Sequence, residues 1–212
     1  MTSKHPLESV LAAAARGDFP APDGTLAVVP APSPYRGAVV AFSAHSFVAV
    51  DLAEDELRTH LRAGDLGAPV AAPFLAWLGE RLGTMPGMLD VVLMHLGSMM
   101  TGLALVPAAL GLEHARIAKA HKQRHDVQVF TDAQQRGVVM LGRGLVGRWE
   151  ISLELDSEAR GRGLGRAMIA AARVLVPADE PVFAQVSPGN AQSLRAFLAA
   201  GFRPIGSEVL FL

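Results

Sequence analysis

The alternation of apolar and polar positions is sharpest from Trp149 to Leu155, where Trp149, Ile151, Leu153 and Leu155 point one way and Glu150, Ser152 and Glu154 the other. That period of two predicts a strand with one buried face, ending at Asp156. Beyond it the period changes. Leu164, Met168, Ala171, Ala172 and Leu175 recur at helical spacing, which predicts a helix over 164–175, and Val182 to Val186 reads as a second strand. Asn190 is placed to cap a further helix and Gly201 to end it in left-handed geometry, after which Arg203 to Phe211 forms a last strand.

Upstream, Val127 to Phe130 and Val138 to Leu141 flank the segment T-D-A-Q-Q-R-G, predicting a hairpin with Gly137 at its turn. With the Trp149 strand this gives a meander of three antiparallel strands. Nearer the start, Leu7 to Ala15 predicts a short helix stopped by Gly17. Residues 18–37 hold five of the 14 prolines and read as an extended connector with one strand at Leu26 to Val29. Ala38 to Phe42 and Ser46 to Val50 are β-like runs, followed by helices over Asp51 to Arg62 and Pro69 to Leu82. From Val91 to Leu112 no residue is charged if His95 is neutral, a length that could span a bilayer. Gly97, Gly102, Pro107 and Gly111, with the polar His95, Ser98 and Thr101, argue instead for a buried strand (Leu89 to Leu96), a short strand near Leu103 to Val106, and a helix from Pro107 to Gln123.

Composition narrows the functional classes. In a chain of 212 residues, 50% are hydrophobic, enough for a full core, and the net charge of -1 with no Lys or Arg run gives no reason to expect nucleic acid as a partner. Cysteine is absent, which removes disulfides, thiol nucleophiles and thiolate metal sites. The first residues carry no apolar core of a signal peptide, so a cytoplasmic location and no membrane span are expected. Arg outnumbers Lys and Ala is abundant, which points to a GC-rich bacterial genome.

The chemistry concentrates between the two C-terminal strands. Gly161, Gly163 and Gly165 leave three positions without a Cβ just before a helix start, where unpaired backbone N–H groups and the helix dipole favour an anion. A Walker A loop would need Lys-Ser/Thr after its last glycine, and Arg166-Ala167 stands there; a dinucleotide fingerprint opening at Gly161 would need glycine where Arg166 is. What fits is R-x-x-G-x-G, Arg160 to Gly165, directly after a strand.

This stretch resembles the signature of the GNAT acetyltransferase superfamily, Q/R-x-x-G-x-G/A. The downstream run S-P-G-N-A-Q-S-L-R-A-F-L-A-A-G-F, from Ser187 to Phe202, resembles the family's second motif. The resemblance covers roughly Asp126 to Leu212 and implies an α+β (mixed α/β) fold, a central, mostly antiparallel twisted sheet flanked by helices. Residues 126–212 would be the acetyl-CoA-binding core, and residues 1–125 an N-terminal extension that shapes the acceptor side and completes the sheet. No second R-x-x-G-x-G occurs, so one cofactor site is expected.

By the same resemblance, acetyl-CoA would lie in a splay between the Trp149 and Val182 strands. Leu153 and Leu155 would contact its pantetheine arm and acetyl group through the backbone, and Arg160, Gly161, Arg162, Gly163, Leu164, Gly165 and Arg166 would hold the pyrophosphate. Asn190 would touch the arm. Phe197 occupies the position, seven residues after that Asn, where many members carry a tyrosine acid; the only tyrosine here is Tyr35. An amine would attack the thioester directly, and Glu150, then Glu154, are the candidate bases, against the alternative that both are solvent-facing strand positions. Glu150 needs a β-bulge to reach the site. Other candidates have structural readings beside functional ones. His121 and His125, four apart, read as helix-end cations or a metal pair, and His45 and His95 as core histidines or acceptor-pocket groups. No metal is expected. The expected function is an acetyl-CoA-dependent N-acetyltransferase acting on a small-molecule or peptide amine, with a homodimer as a compatible assembly; the alternatives are a catalytically silent acyl-CoA-binding protein and a nucleotide-binding protein of another fold.

Overall fold

The protein is described here over residues 4–109 and 114–212 of a computed structural model. In chain order the elements are helix α1 (Pro6–Ala14), strands β1 (Leu26–Val29), β2 (Gly37–Phe42) and β3 (His45–Ala49), helix α2 (Glu54–Thr59), a 3-10 turn at Ala68–Val70 and helix α3 (Ala72–Leu82). There follow β4 (Asp90–His95), β5 (Leu105–Pro107), α4 (Ala115–Gln123), β6 (His125–Asp132), β7 (Gly137–Arg143), β8 (Trp149–Leu155), α5 (Leu164–Arg173), β9 (Val182–Val186), α6 (Ala191–Ala199) and β10 (Arg203–Phe211). The fold is mixed α/β, with helices flanking mostly antiparallel strands, as the sequence predicts. Only the β1–β3 and β8–β9 pairs are parallel among the ladders β1–β3, β2–β3, β2–β10, β5–β6, β6–β7, β7–β8 and β8–β9.

The chain forms two compact units, one of residues up to Val92 with Ile205–Leu212, the other of Leu93–Pro204. In the first, strand order is β1-β3-β2-β10. The run G-A-V-V-A-F of β2 is apolar throughout because the strand is covered on both faces. Its core joins Val39, Val48, Val209 and Phe211 from the strands to Leu57 of α2 and Phe74, Leu75 and Leu78 of α3. Each such side chain stabilises the unit by roughly 1.5–3 kcal/mol. The helix expected over Pro69 to Leu82 is broken in two: Ala71 is extended, and Pro73, which has no N–H to donate, opens α3 in its first turn.

In the second unit strand order is β9-β8-β7-β6-β5. Helix α4 covers β6, β7 and β8, with Ala120 packed on Val138 and Met140, and α5 lies on β7 and β8. At the end of α5 the buried guanidinium of Arg173 donates to the carbonyls of Val176, Pro177, Ala178 and Glu180, which fixes the connection that delivers β9.

Two expectations shift. Gly137 is the first residue of β7 and not the turn; a Cβ there would lie 2.6 Å from the Glu154 carbonyl oxygen, so glycine serves close strand approach. The bend falls on residues 133–136, with Gln135 at φ 54°. The helix expected from Pro107 starts at Ala115 instead, because Pro107 pairs with Phe130 in the β5–β6 ladder and His114 supplies the cap, its Nδ1 accepting from the Arg116 N–H at 3.1 Å. Residues 110–113 of that expected helix lie outside the described residues. Among the described residues no helix is long and apolar enough to cross a membrane; the uncharged run supplies β4 and β5.

Candidate functional site

Strand β8 runs in full register with β7, Gly137 opposite Leu155 through Arg143 opposite Trp149, with no bulge. On its other side it pairs with β9 at two positions only, Trp149 with Val182 and Glu150 with Phe183. Beyond Glu150 the two parallel strands part.

The direction of the β8 peptide groups follows from the ladder. The Asp156 N–H donates to the Arg136 carbonyl at 3.0 Å, toward β7. In an antiparallel pair alternate residues turn both backbone groups the same way, so Leu155 and Leu153 turn theirs away from β7, into the gap. Side chains meet them there: Arg160 Nε donates to the Leu155 carbonyl at 3.1 Å and Arg116 Nη2 reaches the Leu153 carbonyl at 3.5 Å. The N–H groups of the same residues face the gap as donors, which could hold an extended amide-bearing chain or polarise a carbonyl oxygen.

The strand then feeds the glycine turn. Gly161 and Gly163 sit at φ 75° and 80°, a region costly for any residue with a Cβ, and a Cβ at either would meet open space. Gly165 differs: its Cβ would touch Leu155 and Leu153 at 3.4 and 3.5 Å, so there glycine brings α5 close to β8. No side chain caps α5, which leaves its first N–H groups for a ligand. A pocket of about 480 Å³ opens in front of the turn, lined by Arg136, Asp156, Glu158, Ala159, Arg162, Gly163, Leu164 and Ala167. Arg136 enters from the β6–β7 turn and is oriented by the buried Asp132, whose carboxylate accepts from the Arg136 backbone N–H and from Nε, each at 2.8 Å. Burial alone would raise the Asp132 pKa; the Arg136 bonds outweigh it and hold it below the usual carboxylate value. The structure thus brings Leu153, Leu155 and the residues from Arg160 to Arg166 together along one path.

Glu150 lies elsewhere in chemical terms. Its side chain is 3% exposed, and its carboxylate accepts from Arg148 Nε and Arg124 Nε, both at 2.9 Å, and from the Leu145 N–H at 3.3 Å. Burial would raise its pKa, but Arg148 and Arg124 together hold it below the ordinary Glu value. That is the opposite of what a base needs. The bulge that would have swung it toward the gap is absent. The fit around it is close: a Cβ on Gly144 would lie 2.2 Å from the Glu150 carboxyl carbon. Glu154, four residues on and on the same face, is 43% exposed, with Arg116 Nε 3.6 Å from its carboxylate.

Asn190 caps α6, its Oδ1 accepting from the Ser193 N–H at 3.1 Å, and Gly201 ends the turn after α6 at φ 84°. Phe197 is buried edge-to-face against Phe202, with ring centroids 5.0 Å apart, so the residue at the usual tyrosine position is core packing. His95 packs on Phe202 in the same cluster, and burial, then the charges of Arg173 and Arg203, lower its pKa. The Thr25 hydroxyl and backbone N–H, and then His45 at 2.9 Å, hold the Asp23 carboxyl down to about 2. Among the described residues no group of three potential ligands could hold a metal ion; His121 lies in the last turn of α4 and His125 opens β6, so the two do not share a helix face, and both are exposed.

Sequence reasoning missed Arg124, Arg148, Ser152 and Gln185 as a network, and Arg116 and Arg136 as site residues. The only local signal was the opposite charge of Arg148 and Glu150 two positions apart on one strand face.

No family model matches the chain, and no curated protein matches it in sequence. Among solved structures, the chain is similar to a GCN5-related N-acetyltransferase from Kribbella flavida, at 17% identity and a TM-score of 0.45 over 66% of this chain and 63% of that one. A GNAT-family acetyltransferase from Colwellia psychrerythraea is similar at 10% identity and TM-score 0.42, over 78% and 75% of the two chains. A putative GNAT-family acetyltransferase from Novosphingobium aromaticivorans follows at 15% and 0.39, over 60% and 66%. The similarity thus spans less than two thirds of the length of the first of these structures, 63%, and 66% of the last.

Proposed function

We propose that the protein is a GNAT-type N-acetyltransferase that moves an acetyl or related short acyl group from coenzyme A to an amine. The observation that carries this reading is the parting of β8 from β9 beyond Glu150, after which β8 runs on into an uncapped, glycine-opened helix. A diphosphate fits the N–H groups of Leu164, Gly165 and Arg166, with Arg160 and Arg162 beside them. An acyl-pantetheine arm fits the gap, where the Leu153 and Leu155 N–H groups are donors, as the thioester carbonyl requires when its oxygen gains negative charge.

In this reading the amine nitrogen attacks the thioester carbon, the carbon–sulfur bond breaks, and the sulfur leaves as thiolate. Glu154 takes the proton that the nitrogen sheds, because it stands on the free-backbone stretch and is open to an incoming acceptor; Arg116 Nε lies 3.6 Å from its carboxylate. Glu150, held by two arginines, supports the strand. Phe197 offers no proton, so the thiolate takes one from solvent. Phe197 also favours the second reading, a protein that binds acyl-CoA without turning it over.

Release of free thiol from acetyl-CoA, followed across a panel of amines, separates the two. The enzyme gives amine-dependent release; the silent binder gives tight acetyl-CoA binding and no release. Replacing Gly163 by valine, which strains the backbone by about 1–3 kcal/mol and fills the space before α5, is expected to weaken acetyl-CoA binding by at least about tenfold in a protein that still folds, with its melting temperature lowered only by that strain. Unaltered affinity in a folded Gly163→Val protein would remove the diphosphate from this turn.

A further inference from the structure

Resting on the acyl-CoA reading, we infer that Arg124 is a strut across the gap between β8 and β9, a positioning residue that sets how far the strands part and so where the acyl-pantetheine arm lies.

The inference comes from register. The last ladder pair is Glu150 with Phe183, so two steps further along the same face the strands would pair Ser152 with Gln185. They do not. Arg124, at the end of α4, joins those two positions instead: Nη1 donates to Ser152 Oγ at 2.9 Å and Nη2 to Gln185 Oε1 at 3.4 Å, while Nε donates to Glu150 at 2.9 Å. One planar guanidinium therefore spans the first step at which the backbones are no longer bonded. Its side chain is 7% exposed, so the fork is fixed, and lysine could not make all three bonds in this geometry.

Behind it, Arg148 holds the other oxygen of Glu150 and lies over the Phe183 ring at 5.0 Å, which ties the last ladder pair together. The strands are clamped at Glu150 and Phe183 and propped at Ser152 and Gln185. Glu150 thereby serves the site through Arg124, by orientation.

The test compares two probes by calorimetry: acetyl-CoA, and 3′-phospho-ADP, the nucleotide half of coenzyme A without the pantetheine arm. Gln185→Met removes the far anchor and leaves the Glu150 ion pairs in place; Arg124→Lys keeps the charge and loses the fork. Each is expected to weaken acetyl-CoA binding about tenfold and leave 3′-phospho-ADP within about twofold of the parent. A general loss of structure would weaken both probes together, and that result, or equal affinity of parent and folded variants for acetyl-CoA, overturns the strut. If Arg124→Lys does not fold, Gln185→Met decides. A parent that binds neither probe overturns the acyl-CoA reading itself, and the strut with it; a parent that binds both while the variants match it overturns the strut alone.

Discussion

Glu150→Ala should lower the unfolding free energy by about 3–5 kcal/mol, because it leaves Arg124 and Arg148 buried without their shared carboxylate. Urea titration of parent and variant measures this directly. A loss under about 1 kcal/mol would mean that the two guanidiniums find water or other acceptors, and that the network is weaker than its distances suggest. The same carboxylate carries a pH signature. Its folded pKa lies below the ordinary Glu value, so its contribution is present above that value and is lost as pH falls through the folded one. The parent should therefore lose stability on acidification over a range in which Glu150→Ala, already deprived of the contribution, changes less. Parallel acid limbs for the two proteins would contradict the assignment.

Glu154→Gln addresses the reaction. With whichever amine of the panel is turned over, kcat should fall by about 10²–10⁴, the range for loss of a positioned base. Acetyl-CoA affinity should hold. A partly exposed side chain paired at 3.6 Å contributes little to stability, so the melting temperature should move by no more than a surface substitution moves it. A Glu154→Gln protein with parental kcat would leave proton removal to water.

What the sequence disclosed and what it hid differ in range. Strand β8, its end before Asp156, the glycine turn, the Asn190 cap and β10 depend on neighbours within a few residues, and the structure has each where the pattern placed it. The fold class follows, since β8 with the helices after it and the β6–β7 hairpin set most of the strand order in the second unit. The polar face of β8 was legible as polar, but its destination was not. Glu150 meets Arg124 at a sequence separation of 26 and Ser152 meets the same residue at 28, and no spacing rule links them. Pro107 misled for a related reason. Proline suits a helix start and an edge strand alike, and only the pairing with Phe130 decides between them.

The 2.2 Å that separates an imagined Cβ on Gly144 from the Glu150 carboxyl carbon ties the sequence of a loop to the length of a side chain one strand start away. While glutamate stands at 150, no other residue fits at 144 unless that carboxylate leaves its place between Arg124 and Arg148; a carboxylate one methylene shorter would vacate that space. The two positions are free to change only as a couple, and in any redesign of this interior the loop from Gly144 to Arg148 has to be rebuilt together with the acid it encloses.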